Sequence, residues 1–270
     1  MPCPEWVTRA STVFDVTAVL VAVAAMVTSA EFVALRAEWR LHGFFDPQVA
    51  GAIRRGSLIG RFPMLSVPRL SLVQLFAAPA AILCIALDIS PAPALIVLAV
   101  TTVIRTQVLP FGADGSDYMA FVLTVATAIA SVSGDHRVVL RTALSFIAAQ
   151  LCLAYGASGV AKLFGRPWRA GVALRAILHT EYGHPGFVRS TLDRWPTLGK
   201  VLTWLVIVGE IAFPVGVVLG GWFVVAALAA AAILQTSIAV AMGLNRFTPW
   251  FFAAFPATAW AACHYGLLSP

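Results

Sequence analysis

Long apolar runs separated by short polar gaps dominate the chain. The runs predict eight helices, at about 12–35, 70–88, 92–110, 118–133, 139–164, 201–219, 222–242 and 247–267. Each is near the roughly 20 apolar residues that one bilayer crossing takes. Two gaps are long. Residues 36–69 contain Asp46-Pro47, a helix start with Asp as N-cap and Pro at the first helical position, followed by Arg54-Arg55, which reads as a short interfacial helix. Residues 165–200 mix Trp168, Tyr182 and Trp195 with several arginines, as expected at a headgroup boundary. No internal repeat is evident. Only Arg9 precedes the first run, which exceeds the length of a signal-peptide apolar region, so an uncleaved first helix is expected.

Composition turns this pattern into a class. Of 270 residues, 60% are hydrophobic and 11% charged, against roughly 25% charged in a soluble domain. That much apolar surface suffices for roughly eight crossings and exceeds what a soluble core of this size absorbs. A soluble enzyme, a disordered chain and a secreted disulfide scaffold are excluded. The expected fold class is an all-α integral membrane protein, a bundle of about eight transmembrane helices forming one domain over 1–270.

The net charge of +6 reads as topology rather than as nucleic-acid binding, because the cations sit in the gaps. Thirteen Lys and Arg residues fall in gaps 36–69, 165–200 and 243–246, against three (Arg9, Arg137, Arg141) on the other side. The long gaps are therefore expected in the cytoplasm and both termini outside, in the plasma membrane of a bacterial cell. The four cysteines, Cys3, Cys84, Cys152 and Cys263, show no C-x-x-C spacing and read as small hydrophobes.

Within the spans, Asp15, Glu31, Arg105, Lys162, Glu210 and Gln235 stand out, since an ionisable group in hydrocarbon costs several kcal/mol unless paired or hydrated. Glu210 lies mid-span, and Pro214 frees a backbone carbonyl one turn before it. Lys162 follows Tyr155-Gly156-Ala157-Ser158-Gly159, whose small residues allow close helix approach. It reads as a snorkelling lysine, as a desolvated general base, or as the partner of Glu210 in a buried ion pair. Gln235, beside Thr236 and Ser237, serves an interhelical hydrogen bond or lines a polar cavity. Asp15 and Glu31 lie near opposite ends of one helix and read as interfacial. His136 and His184 lie in turns, and no His, Cys or carboxylate spacing suits a metal. No P-loop, nucleophile elbow or dinucleotide fingerprint is present.

The run Ala157-Ser158-Gly159-Val160-Ala161-Lys162-Leu163-Phe164-Gly165-Arg166-Pro167-Trp168-Arg169-Ala170-Gly171-Val172-Ala173-Leu174 resembles the signature of the horizontally transferred transmembrane (HTTM) domain. That domain is the membrane part of vitamin K-dependent gamma-carboxylases and their bacterial relatives. Leu202-Thr203-Trp204 and Gly209-Glu210-Ile211-Ala212-Phe213-Pro214 resemble the family's T-W…E-L-x-x-P helix. Together the matches span about 157–214, and the N-terminal half agrees only in hydropathy and helix number. The resemblance implies that Lys162 is the base that deprotonates a reduced, vitamin K-like quinone. Oxygen then converts the quinone into a base able to take a carbon-bound proton, and CO2 captures the carbanion. Where the family usually carries a histidine about twelve residues before a Phe-Ser or Phe-Thr pair, this chain has Gln235 before Phe247-Thr248, and glutamine cannot titrate.

The sequence holds no large soluble domain of the kind by which the carboxylases bind peptides. Its size and content look closer to the membrane subunit of bacterial systems that mature exported peptide toxins with a small partner protein. Two function classes follow. One is a membrane enzyme with Lys162 and Glu210 as catalytic residues, Gly159, Trp168, Gln235 and His136 as substrate-binding residues, and a lipid-soluble, quinone-like or peptide substrate. The other is a non-catalytic membrane subunit for maturation or export of a secreted peptide. A reduced quinone is the expected cofactor. The expected partners are membrane lipids, a small protein and an exported peptide; neither a metal nor nucleic acid is expected.

Overall fold

The computed structural model describes residues 3–39, 66–109, 114–134, 136–180 and 186–268. The Asp46-Pro47 helix start, Arg54-Arg55, Tyr182 and His184 lie outside them. The described residues form helices and no strand: α1 (Glu5–Thr8), α2 (Ala10–Ala34), α3 (Val67–Ala86), α4 (Ala92–Val108), α5 (Gly115–Val132), α6 (Arg137–Phe164), α7 (Arg166–Arg169), α8 (Ala173–Leu178), α9 (Gly186–Arg194), α10 (Pro196–Leu219), α11 (Gly221–Met242), α12 (Phe247–Ala253) and α13 (Phe255–Tyr265), with a 3-10 turn at Arg36–Trp39. Six of them, α2, α3, α5, α6, α10 and α11, are long and apolar enough to cross a membrane, and α4 is a shorter apolar helix. The chain is an all-α membrane protein, as the apolar runs predict.

The last predicted span differs. Instead of one helix over 247–267 there are two, α12 and α13, meeting at Ala254, which itself keeps right-handed helical angles (φ −85°, ψ −14°). Pro256 explains the interruption: it has no N–H to give the carbonyl of residue 252, and its ring crowds that carbonyl. Proline sits instead in the first turn of α13, where the missing donor costs nothing.

The contacts divide the chain into two compact units. One comprises Phe14–Ala143. In it α4 packs on α3 and on α5. Asp114 starts α5 with a capping box: its Oδ1 accepts from the backbone N–H of Ser116 (2.8 Å) and Asp117 (3.0 Å), while Asp117 Oδ2 accepts from Asp114 N–H. Hydroxyls on this apolar helix are satisfied internally, Thr124 and Thr127 donating to the carbonyls of Ala120 and Leu123.

A polar knot sits inside this unit. Gln74 is fully buried. Its Oε1 accepts from Ser29 Oγ (2.9 Å) and Arg105 Nη1 (2.7 Å), and its Nε2 donates to Thr102 Oγ1 (2.8 Å) and Thr101 Oγ1 (3.0 Å). Arg105, likewise fully buried, also lies over the Phe32 ring, 5.4 Å from its centroid. At this depth the amide oxygen and the aromatic face help to replace water around the charge.

The other unit comprises Met1–Val13 and Leu144–Pro270. Its core holds Trp250, Trp260, Phe213, Ile207, Ile147 and Leu151, all essentially inaccessible. Gly243 closes α11 in the left-handed region (φ 67°), which a side chain would disfavour. The tail turns back on α10: Leu267 and Leu268 donate their N–H groups to the carbonyls of Val218 and Leu219 (2.9 and 2.8 Å), two acceptors that a helix end otherwise leaves open. The cysteine expectation needs correction here. Cys3 and Cys263 form a disulfide between residues 260 apart, while Cys84 and Cys152 are partly buried free thiols. Sequence spacing missed the pair because only tertiary packing brings α1 against α13.

Candidate functional site

The site lies within the unit built from Met1–Val13 and Leu144–Pro270, where α6 faces α10 and α11. On α6, residues 155, 158, 159 and 162 recur at helical spacing and share a face. Gly159 sets the closeness of the crossing. A Cβ there would lie 2.7 Å from Ile211 Cγ1, 2.9 Å from Ile211 N and 3.0 Å from Glu210 Cβ, so only a glycine lets α10 come this near. The close approach falls on the turn of α10 that carries Glu210. Pro214, inside α10, cannot donate to the Glu210 carbonyl, so the turn with the buried carboxylate also has a freed backbone acceptor.

Lys162 Nζ donates to both carboxylate oxygens of Glu210, at 2.7 Å to Oε1 and 2.6 Å to Oε2, and to Ser158 Oγ one turn back on its own helix. An ammonium has three N–H donors, and here each has an acceptor. The Glu210 side chain is 7% exposed and that of Lys162 18%. Trp168, in the short α7, holds its ring 5.1 Å from Nζ. Two charges removed from water at this depth require such saturated contacts to offset their desolvation.

Two helical turns toward the start of α6, about 10 Å along its axis, lies a second polar group. Gln235 of α11 is buried and donates Nε2 to the Tyr155 hydroxyl at 3.0 Å. Its backbone carbonyl accepts from Thr248 Oγ1 (3.1 Å), tying α11 to α12. Gln235 Oε1 has no hydrogen-bond partner among the described residues. The Tyr155 ring packs between Phe213 (centroids 4.3 Å apart) and Phe251 (5.7 Å), so the polar contact is enclosed by aromatic surface.

Of the residues singled out in the sequence, Lys162, Glu210, Gly159 and Trp168 thus meet at one crossing, and Gln235 meets Tyr155 of the same helix. His136 precedes α6 in the other unit and is exposed. Asp15 is exposed, Glu31 partly buried and Arg105 buried, all three in that other unit. Tyr155 and Ser158 are site residues the sequence reading passed over as members of a small-residue run; their i, i+3, i+7 register with Lys162 was the available signal. Among the described residues no group of three or more His, Cys, Asp or Glu could hold a metal ion.

The arrangement can hold a proton between two groups of opposite charge type, and it offers a buried carbonyl acceptor beside a hydroxyl. Set against family models, curated proteins and solved structures, the chain matches none.

Proposed function

We propose that this chain is a membrane-embedded enzyme resembling the vitamin K-dependent gamma-carboxylases, with Lys162 as general base and Glu210 as its proton partner, acting on a lipid-soluble, quinone-like or peptide substrate. The observation that carries this reading is the direct contact of Lys162 Nζ with both Glu210 oxygens in membrane-spanning helices. At 2.6–2.7 Å a proton can pass from Nζ to a carboxylate oxygen without an intervening water. The transfer leaves a neutral amine and a neutral carboxylic acid. The neutral amine then takes a proton from an acidic O–H or C–H of the substrate, and Glu210 retains the first proton until turnover returns it. Ser158 and Trp168 position the amine throughout. A reduced quinone, when bound, would supply the carrier of reducing equivalents; Lys162 and Glu210 would hold and move the proton at its hydroxyl.

One observation favours a second reading, a non-catalytic subunit for maturation or export of a secreted peptide. Every donor of the lysine is already satisfied and Gly159 fits α10 tightly, which is also how a purely structural clasp would be built. Lys162→Arg separates the two. Arginine keeps the charge and the carboxylate contact but cannot serve as a base near neutral pH. In a deletion strain complemented with the variant, the enzyme reading expects loss of the cellular phenotype by at least about 100-fold with normal membrane abundance. Full complementation by a well-folded variant would leave the subunit reading standing.

The orientation belongs to the same proposal. The thirteen-to-three cation bias puts the long gaps in the cytoplasm. The Cys3–Cys263 disulfide supports it twice, since bonded ends share one side and disulfides persist in oxidising compartments outside the cytoplasm. Alkaline phosphatase fused after Pro270 should therefore be active; an inactive fusion beside a fluorescent cytoplasmic reporter at the same site would reverse the assignment.

A further inference from the structure

Between the end of α6 and the start of α10, the chain makes three short helices, and the described residues from Arg166 to Lys200 have an unusual charge balance. Arg166, Arg169, Arg175, Arg189, Arg194 and Lys200 are all exposed. Asp193 is the one carboxylate among the described residues of this segment, and it is already engaged. Arg175 Nε donates to Asp193 Oδ1 (2.8 Å) and His179 Nε2 lies 3.1 Å from Oδ2, clasping α8 to α9. The Arg175 hydrogen bond, aided by the charges of His179 and Arg189, holds the Asp193 carboxyl below its ordinary range, so the Arg175–Asp193 contact is lost only at pH below that range. The other five cations have no carboxylate within ion-pairing reach among the described residues.

Interleaved with these cations are exposed apolar side chains: Phe164, Phe187, Trp195 and Leu198. Leu192 of α9 points the other way and is buried. A solvated basic loop has no need of exposed aromatic rings, and an apolar docking groove would not carry five uncompensated cations. A surface of anionic headgroups above acyl chains satisfies both, because aromatic rings settle at that level while Lys and Arg meet phosphate.

We propose that residues 165–180 and 186–200 form a binding surface for anionic phospholipid headgroups in the leaflet where α6 ends and α10 begins. Arg189, Arg194 and Lys200 contact the phosphates, and Phe187 and Trp195 insert among the acyl chain origins. The proposal does not depend on the catalytic reading, although Trp168, between Arg166 and Arg169, places this lipid layer beside Lys162.

The test uses the purified full chain in a neutral detergent. Phosphatidylglycerol at saturating ratio should raise the unfolding temperature by about 5 °C, and phosphatidylcholine should not. The shift should fall by at least half in 0.5 M salt, where exposed charges are screened. The variant Arg189→Gln/Arg194→Gln/Lys200→Gln should lose the shift; if it does not fold, Arg166→Gln/Arg169→Gln should reduce it. Equal shifts with the two lipids would overturn the proposal. So would reproduction of the shift by glycerol 3-phosphate, which indicates a free-anion site, or by polyglutamate but not by the lipid, which indicates an acidic polypeptide partner.

Discussion

Replacing Glu210 by leucine is expected to lower stability in detergent by about 3–5 kcal/mol, the scale on which a buried charge suffers when its partner is removed. Lys162 would keep Ser158 and the Trp168 ring but lose both carboxylate oxygens. Its four-carbon stem ends near the last turn of α6, so some of the loss is recoverable if the amine swings toward the interface. Glu210→Gln, which retains one acceptor oxygen, should cost less. The double variant Lys162→Met/Glu210→Leu should recover most of the loss, because an apolar pair of similar volume needs no desolvation. Thermal unfolding of the four proteins decides the matter. If Glu210→Leu is as stable as the parent, the pair is not buried as described, and both readings of the site lose their footing.

The second large effect belongs to the other unit. Gln74→Leu should destabilise by about 2–4 kcal/mol, since each buried polar atom left without its partner costs about 1–3 kcal/mol. The substitution removes the acceptor shared by Ser29 Oγ and Arg105 Nη1 and the donor serving Thr102. Thr101 suffers less, because its hydroxyl also donates to the Val97 carbonyl at 2.6 Å. Gln74→Glu offers a useful contrast: it keeps an acceptor for the arginine, places a negative charge beside it and loses only the amide donors. The expected order of unfolding temperatures is parent, then Glu, then Leu. A leucine variant within about 1 °C of the parent would show that Arg105 depends on contacts other than Gln74.

Much of the helix pattern is legible in the sequence because hydropathy is local. The predicted runs at 118–133 and 222–242 differ from α5 and α11 by three residues or fewer at either end. The break at Ala254 was also written locally, in Pro256, although continuous hydropathy concealed it. Lys162 and Glu210 are legible for an energetic reason: two unlike charges in apolar helices have few options besides each other. Arg105 announced itself in the same way, but its contact with Gln74 did not, since a neutral glutamine is far less costly to bury and so attracts less notice. Tyr155 was hidden by its aromatic ring, which suits an apolar run; only the fold discloses that its hydroxyl meets Gln235 across 80 positions. The Cys3–Cys263 bond was the least legible, because no periodicity relates residues so distant.

That bond has a consequence for how the molecule responds to cutting. A chain joined covalently at Cys3 and Cys263 is, topologically, a ring over the residues between them. One proteolytic cut in any loop between Cys3 and Cys263 opens the ring without releasing a fragment; two cuts, or one cut and a reductant, are needed before a piece can leave. A nicked protein of this kind would keep its mass on a non-reducing gel and fall into two bands only after thiol treatment.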